Sequence, residues 1–194
     1  MEIALTTTLL DTDMSLVRRM AAGDEEALRA LYAAYGRRLF AYAIRLTGCP
    51  AVAEEVLQDS LLAAWKGARG FRGQARAVTW LLGIVHHQAL NATRRKHWPG
   101  VGLEEALDVA DHRSTPDARA EAAERRQVLA TAMDALSTDH RCVLELVFYQ
   151  GLSLAEAAAV CRCPLGTVKS RLSYAKAHLR RALAQAGVRE EDLP

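Results

Sequence analysis

The sequence predicts an all-α fold: two small helical domains joined by a flexible acidic linker, the C-terminal one a helix-turn-helix. Three observations carry this. The 194 residues are rich in Ala, Leu, Arg and Glu and poor in alternating β-branched runs, which favours helix nearly throughout. Apolar residues recur three or four apart in two separate blocks, one before residue 96 and one after residue 118. Between the blocks, residues 97–117 hold Pro99, Gly100, Gly102 and Pro116 among the acids Glu104, Glu105, Asp108, Asp111 and Asp117, with no sustained period.

In the first block, Leu28, Leu31, Tyr32, Tyr35, Leu39, Tyr42, Ala43 and Leu46 form the stripe of an amphipathic helix, which Gly48 and Pro50 end. A second helix is expected over about 51–66, stopping before a segment punctuated by Gly67, Gly70 and Gly73. A third carries Val78, Leu81, Leu82, Val85, Ala89 and Ala92 on one face and runs out in Arg94, Arg95 and Lys96. In the second block, Val128, Leu129, Ala132, Met133 and Leu136 share a face, and helices are expected near 139–149, 153–161 and 165–185. The expected organisation is a disordered tail over 1–15, a first domain over 16–96, the linker over 97–117, a second domain over 118–185 and a short tail over 186–194.

Composition narrows the function classes. A hydrophobic fraction of 51% excludes a wholly disordered chain, and 25% charged residues suit an ordinary soluble protein. No apolar run approaches the ~20 residues of a membrane span, and the opening MEIALTTTLLDTD lacks the basic segment of a secretory signal. A cytoplasmic location without membrane insertion of its own is therefore expected. Cys49, Cys142, Cys161 and Cys163 are scattered and do not read as a disulfide framework. The Cys161-x-Cys163 spacing is also shorter than the two-to-four-residue gap of paired zinc ligands. His86 and His87 point roughly 100° apart on a helix, which is wrong for a ligand pair. No nucleophile elbow, Walker loop, dinucleotide fingerprint or HExxH motif occurs. The reading is of a non-enzyme with no cofactor and no metal.

The net charge of +2 hides uneven segments. Ser153 and Glu156 have capping-box spacing at the start of a short helix. Cys161, Arg162, Cys163 and Pro164 then form a turn into a longer helix with Leu165, Val168, Leu172, Ala175 and Leu179 as its buried stripe. That arrangement is the sequence form of a helix-turn-helix. The other side of the longer helix carries Lys169, Ser170, Ser173, Tyr174, Lys176 and Arg180. From Val160 to Gly187 there are six Lys or Arg and no acid. Such a face suits a major-groove reader, with cations on phosphates and polar groups near the N-terminal half on base edges. The plainer alternative is a basic, solvated surface helix.

Upstream, Lys66 to Arg76 holds four basic residues, three glycines, one aromatic and no acid. A flexible cationic loop bearing an aromatic suits single-stranded DNA, where an unstacked base lies on a ring and the backbone follows the charge. Taken alone, Phe71 and Trp80 read more readily as core anchors than as base contacts. Trp80, His86, His87, Gln88, Asn91, Arg94 and Arg95 follow on the next helix. By contrast Glu54, Glu55, Gln58 and Asp59 make an acidic face that DNA would repel, so it meets solvent or another protein.

Both modules in this order resemble an extracytoplasmic-function (ECF, group IV) sigma factor, the smallest class of bacterial transcription initiation factor. The resemblance covers about 16–183. AEEVLQDSLLAAWKGARGFRG (53–73) is similar to the family's core-binding helix and following loop, and TWLLGIVHHQALNATRRK (79–96) to its minus-ten helix. Residues 136–183 resemble its promoter-reading helix-turn-helix, with GTVKSRLSYAK the most specific stretch.

The resemblance implies that 16–96 is sigma region 2 and 118–185 sigma region 4. It places Glu54, Glu55, Gln58, Asp59 and Trp65 on the clamp helices of core RNA polymerase. It assigns Arg69, Phe71, Arg72 and Arg76 to capture of a flipped non-template base, and Trp80, His87, Asn91, Arg94 and Arg95 to the minus-ten element. Lys169, Ser170, Arg171, Ser173, Tyr174 and Lys176 fall on the minus-thirty-five element. Promoter DNA, as duplex and as melted non-template strand, and an anti-sigma factor are the further partners implied. Two residues depart from the family pattern: His87 stands where Asn is common, and Tyr174 where Arg is frequent. The alternatives are a stand-alone helix-turn-helix regulator, which leaves the Phe71 loop unexplained, and a protein-interaction adaptor, which predicts that charge reversal at Lys169 and Arg171 would not matter.

Overall fold

The computed structural model describes residues 13–95 and 127–185. Lys96, the expected linker 97–117, and the tail segments 1–12 and 186–194 lie outside the described residues. The described chain is helical and divides into two compact units, one built on 13–95 and the other on most of 127–185.

The first unit opens with helix α1 (13–21), which buries Val17 and Met20. Residues 13–15 of the expected tail form its first turn. Gly23, at φ 94°, turns the chain into α2 (Glu25–Thr47). Asp24 caps this helix by accepting from the Glu26 amide at 2.9 Å, with Glu25 and Glu26 favourably placed in the first turn. Its carboxyl is held below the usual range, first by the hydrogen bond from Arg19. Gly48, left-handed at φ 66°, closes the far end and its amide donates to the Ile44 carbonyl at 2.7 Å.

Pro50 occupies the first turn of α3 (Pro50–Gly67), where its missing N–H costs nothing. A short 3₁₀ turn, Ala68–Gly70, leads through the glycine-rich loop to α4 (Ala77–Arg95). Helices α2, α3 and α4 all pack on one another. Their core is Leu31, Leu39, Tyr42 and Ala43 from α2, Val52, Ala53, Val56, Leu57 and Ala64 from α3, and Val78, Leu81, Leu82, Val85 and Ala89 from α4. Tyr42, fully buried, meets His86 Nδ1 across this core at 2.9 Å, so the polar ends of both side chains are satisfied inside it. Tyr32, expected in the α2 stripe, is instead half exposed.

The second unit begins with α5 (127–134). Ser137 then caps α6 (Thr138–Leu144), accepting from the His140 amide. The helix widens into a π turn over Glu145–Tyr149, so the expected helix at 139–149 is an α and a π segment in series. Helix α7 (Leu154–Cys161) opens on the predicted capping box: Ser153 Oγ accepts from the Glu156 amide at 3.2 Å while Glu156 accepts from the Ser153 amide at 3.0 Å. Helix α8 (Leu165–Gln185) follows after a three-residue turn.

Ala130, Met133, Leu136, Leu144 and Ala175 form a core flanked by Leu129, Leu172 and Leu179. Leu165, expected in the α8 stripe, is instead exposed, on the first turn of the helix.

The α7–α8 turn has a Schellman geometry. The Cys163 amide donates to the Ala158 carbonyl at 3.1 Å and the Arg162 amide to Ala159 at 3.3 Å, with Arg162 left-handed at φ 50°. A side chain in this conformation costs about 1 kcal/mol against glycine.

Candidate nucleic-acid interface

The cationic loop of the first unit is held from a direction that local pattern does not reveal. Arg69 Nε donates to the Ala21 carbonyl at 3.2 Å, at the C-terminal end of α1, where a cation also complements the helix dipole. Gly73, at φ 70°, lies against α1 so closely that an added Cβ would stand 2.5 Å from the Met14 methyl. Below them the Tyr35 hydroxyl donates to Asp13. Burial, with Asp13 beside it, pushes the Tyr35 hydroxyl up to about 12, so it keeps its proton as a donor. Met14, Ala21 and Gly73 are thus supports that sequence reasoning missed. The only local signal was the close spacing of Leu16, Val17 and Met20, too short a stripe to stand out.

On this scaffold Arg72 and Arg76 are exposed. Phe71 and Trp80 are half-buried and lie ring to ring, with centroids 4.8 Å apart and planes tilted by 30°. Neither belongs to the fully buried core, and the pair lies in the same loop-to-helix segment as the cations Arg69, Arg72 and Arg76. Along α4, His87 is half-buried, while Asn91 and Arg94 are exposed two or more turns beyond Trp80. Arg95 is the last residue of that helix.

Gly73→Ala forces a left-handed alanine and displaces Met14. It is expected to cost the first unit about 1–2 kcal/mol, read as a lower melting temperature. The double substitution Gly73→Ala with Met14→Ala recovers the clash but not the backbone strain, so it regains only part of the loss.

The acidic face lies elsewhere on the same unit. Glu54, Glu55, Gln58 and Asp59 are all exposed on α3, and Trp65 is half-buried near its end. Glu54 and Gln58, with Leu57 and Leu61, also line one wall of a groove whose other wall is Tyr32, Ala33, Gly36, Arg37 and Phe40 of α2. Leu62 is 52% exposed. A largely apolar groove with one acid, Glu54, and one cation, Arg37, beside the acidic face of α3 suits a protein partner better than a nucleic acid.

In the second unit, α8 presents two kinds of side chain. Lys169, Ser170, Ser173 and Tyr174 are exposed, with Lys169, Ser173, Lys176 and Arg180 spaced along one face. Ser170 Oγ is occupied locally, donating to the Thr167 carbonyl at 3.0 Å. Other residues are engaged by α6 and the π turn. Arg171, with a side chain 25% exposed, pairs with Asp139 and lies 3.9 Å from Cys163 Sγ. The Tyr174 ring stacks on His140 at 4.4 Å between centroids, and His140 Nδ1 in turn lies 2.6 Å from Ser137 Oγ. The Lys176 ammonium sits 5.1 Å above the Phe148 ring. Arg171 is therefore a strut between α6 and α8, whereas Lys169 and Ser173 project freely outward.

Among the described residues, no three His, Cys, Asp or Glu side chains are grouped to hold a metal ion, and no helix is long and apolar enough to cross a membrane. Among the described residues no disulfide links Cys49, Cys142, Cys161 or Cys163.

Comparison with known proteins places these features in a family. Residues 31–99 match the model of sigma-70 region 2 and residues 126–179 that of sigma-70 region 4. The chain is 36% identical over 176 residues to the ECF RNA polymerase sigma factor SigL of Mycobacterium tuberculosis, covering 90% of this chain and 99% of that one. It is 30% identical to the ECF sigma factor SigK of Mycolicibacterium vanbaalenii, covering 95% and 94%. Among solved structures it resembles CnrH bound to the cytosolic domain of CnrY, with a TM-score of 0.64, 27% identity and coverage of 90% and 98%. It also resembles RpoE bound to the anti-sigma factor NepR from Bartonella quintana, with a TM-score of 0.64, 25% identity and coverage of 80% and 96%. Matched over most of its length by region 2 and region 4 in that order, and by ECF relatives over nine-tenths of it, this chain is a member of the ECF family of RNA polymerase sigma factors.

Proposed function

We propose that the chain, as an alternative sigma factor, divides its work between three surfaces. The acidic face of α3, Glu54, Glu55, Gln58 and Asp59 with Trp65, docks on the clamp helices of core RNA polymerase. The Phe71–Trp80 pair, with Arg69, Arg72 and Arg76 and the α4 side chains His87, Asn91, Arg94 and Arg95, holds the melted non-template strand of the minus-ten element. The exposed side of α8, Lys169, Ser170, Ser173 and Tyr174 with Lys176, lies on the minus-thirty-five duplex together with Arg171, which also pairs with Asp139 of α6. The observation that carries this reading is the segregation of charge: acids on the outer face of α3, cations on the loop and on α8.

No bond is made or broken by the chain in this scheme. Strand opening follows from binding the open strand more tightly than the duplex. Neither DNA surface needs high affinity by itself, because tethering both to the polymerase supplies effective concentration. An imidazole at His87 offers one donor and one acceptor where an amide offers both in one plane, so the minus-ten preference differs from that of Asn-bearing members. The complex of RpoE with the anti-sigma factor NepR supports an anti-sigma factor as a further partner, acting with this chain in the cytoplasm.

Run-off transcription tests the reading: purified bacterial core polymerase, with and without the chain, on fragments of the source genome. New discrete start sites are the expected result. Specific duplex binding by the chain alone, without initiation, would favour the stand-alone regulator.

A further inference from the structure

We infer that Arg162, in the turn between α7 and α8, is a DNA-phosphate contact that holds the helix-turn-helix on the promoter backbone. The inference rests on the reading of α8 as a duplex reader. The observation is a contrast within the chain. Five described residues adopt a left-handed backbone. Gly23, Gly48, Gly73 and Gly151 are four of them, and Arg162, at φ 50°, is the fifth. At every other such turn the chain uses the residue that adopts this conformation without strain.

At Arg162 both Schellman hydrogen bonds form, so the left-handed conformation is built into the turn. Glycine would make the same turn more stable, and a strained residue held in place by its surroundings points to a use for its side chain. That side chain is exposed. It is the first cation of the acid-free stretch running through α8, and it precedes the first turn of α8 by three residues. When such a module docks, its second helix enters the groove and the helix before it crosses the backbone, so a cation on the connecting turn meets phosphate. Phosphate takes an arginine fork without regard to sequence, so Arg162 adds affinity and register and does not read bases.

The test compares Arg162→Gly and Arg162→Asn, both of which tolerate the left-handed turn, with Lys169→Gln. Each full chain is assembled with core polymerase on the fragment giving the strongest run-off product, and promoter affinity is measured across a potassium chloride series. The expected result has two opposed parts. Arg162→Gly raises the melting temperature by about 4 °C. Both Arg162 variants bind the promoter roughly five-fold more weakly at moderate salt and lower the slope of log K against log salt by ~0.9, one phosphate contact. A stabilised variant with unchanged affinity and slope would overturn the inference. If Lys169→Gln then still loses affinity, the duplex-reading role of α8 stands without Arg162. If neither position matters, or no run-off product exists, both readings fail.

Discussion

Lys169→Glu with Ser173→Glu abolishes promoter-directed initiation while leaving the chain folded and able to bind core polymerase. Both side chains are exposed on successive turns of α8, so neither substitution opens a cavity or buries a charge, and stability changes by no more than about 0.5 kcal/mol. The effect falls on the DNA. One favourable cation is lost and two carboxylates are set against phosphates, which costs several kcal/mol through lost counterion release and direct repulsion. Transcript yield is expected to fall at least about 100-fold, and raising the concentration of the chain does not restore it, because core is already occupied. Arg171 is a poorer choice for such an experiment. Reversing it would set two acids together at Asp139 and loosen α8 from α6, so lost transcription could not be told from lost structure.

The second large effect is expected on α3. Glu55→Arg with Asp59→Arg reverses two exposed charges one helical turn apart. If this face meets a basic surface on the polymerase, each reversal replaces attraction by repulsion, and close interfacial charge pairs are worth about 1.5–7 kcal/mol. A fall in core affinity of roughly 30- to 100-fold or more follows. The readout differs in kind from that of the α8 pair. Start sites are unchanged, and transcript yield recovers as the chain is added in excess, because the promoter-binding surfaces are intact and only the occupancy of core has dropped.

Much of the architecture was legible because helical periodicity is a local property. The stripes from Leu28 to Leu46 and from Val78 to Ala92, with Gly48 and Pro50 as stops, place α2, α3 and α4 to within a few residues. The Ser153–Glu156 capping box fixes the start of α7. What escaped depends on contacts distant in sequence. Helix α1 has too few apolar positions to show a period, and its importance lies in Ala21 and Met14 meeting the loop some fifty residues later.

The site residues show the same division. That Lys169 and Ser173 face outward follows from their distance from the Val168–Leu172–Ala175 stripe. That Arg171 is a strut depends on Asp139, 32 residues earlier. Tyr174, which stands where the family frequently has Arg, is also half of a stack with His140, on a different helix. The left-handed backbone at Arg162 had no sequence signal at all, because the residue types that mark such turns are glycine and asparagine.

The central claim is that core binding and promoter reading reside on separate surfaces of the two units. One equilibrium titration tests it most directly: fluorescently labelled chain, in its original form and in the two double variants, against purified core polymerase without DNA. The account predicts that Lys169→Glu with Ser173→Glu binds core within about two-fold of the original chain, while Glu55→Arg with Asp59→Arg binds at least about 30-fold more weakly. Equal loss in both variants, or loss confined to the α8 pair, would contradict it.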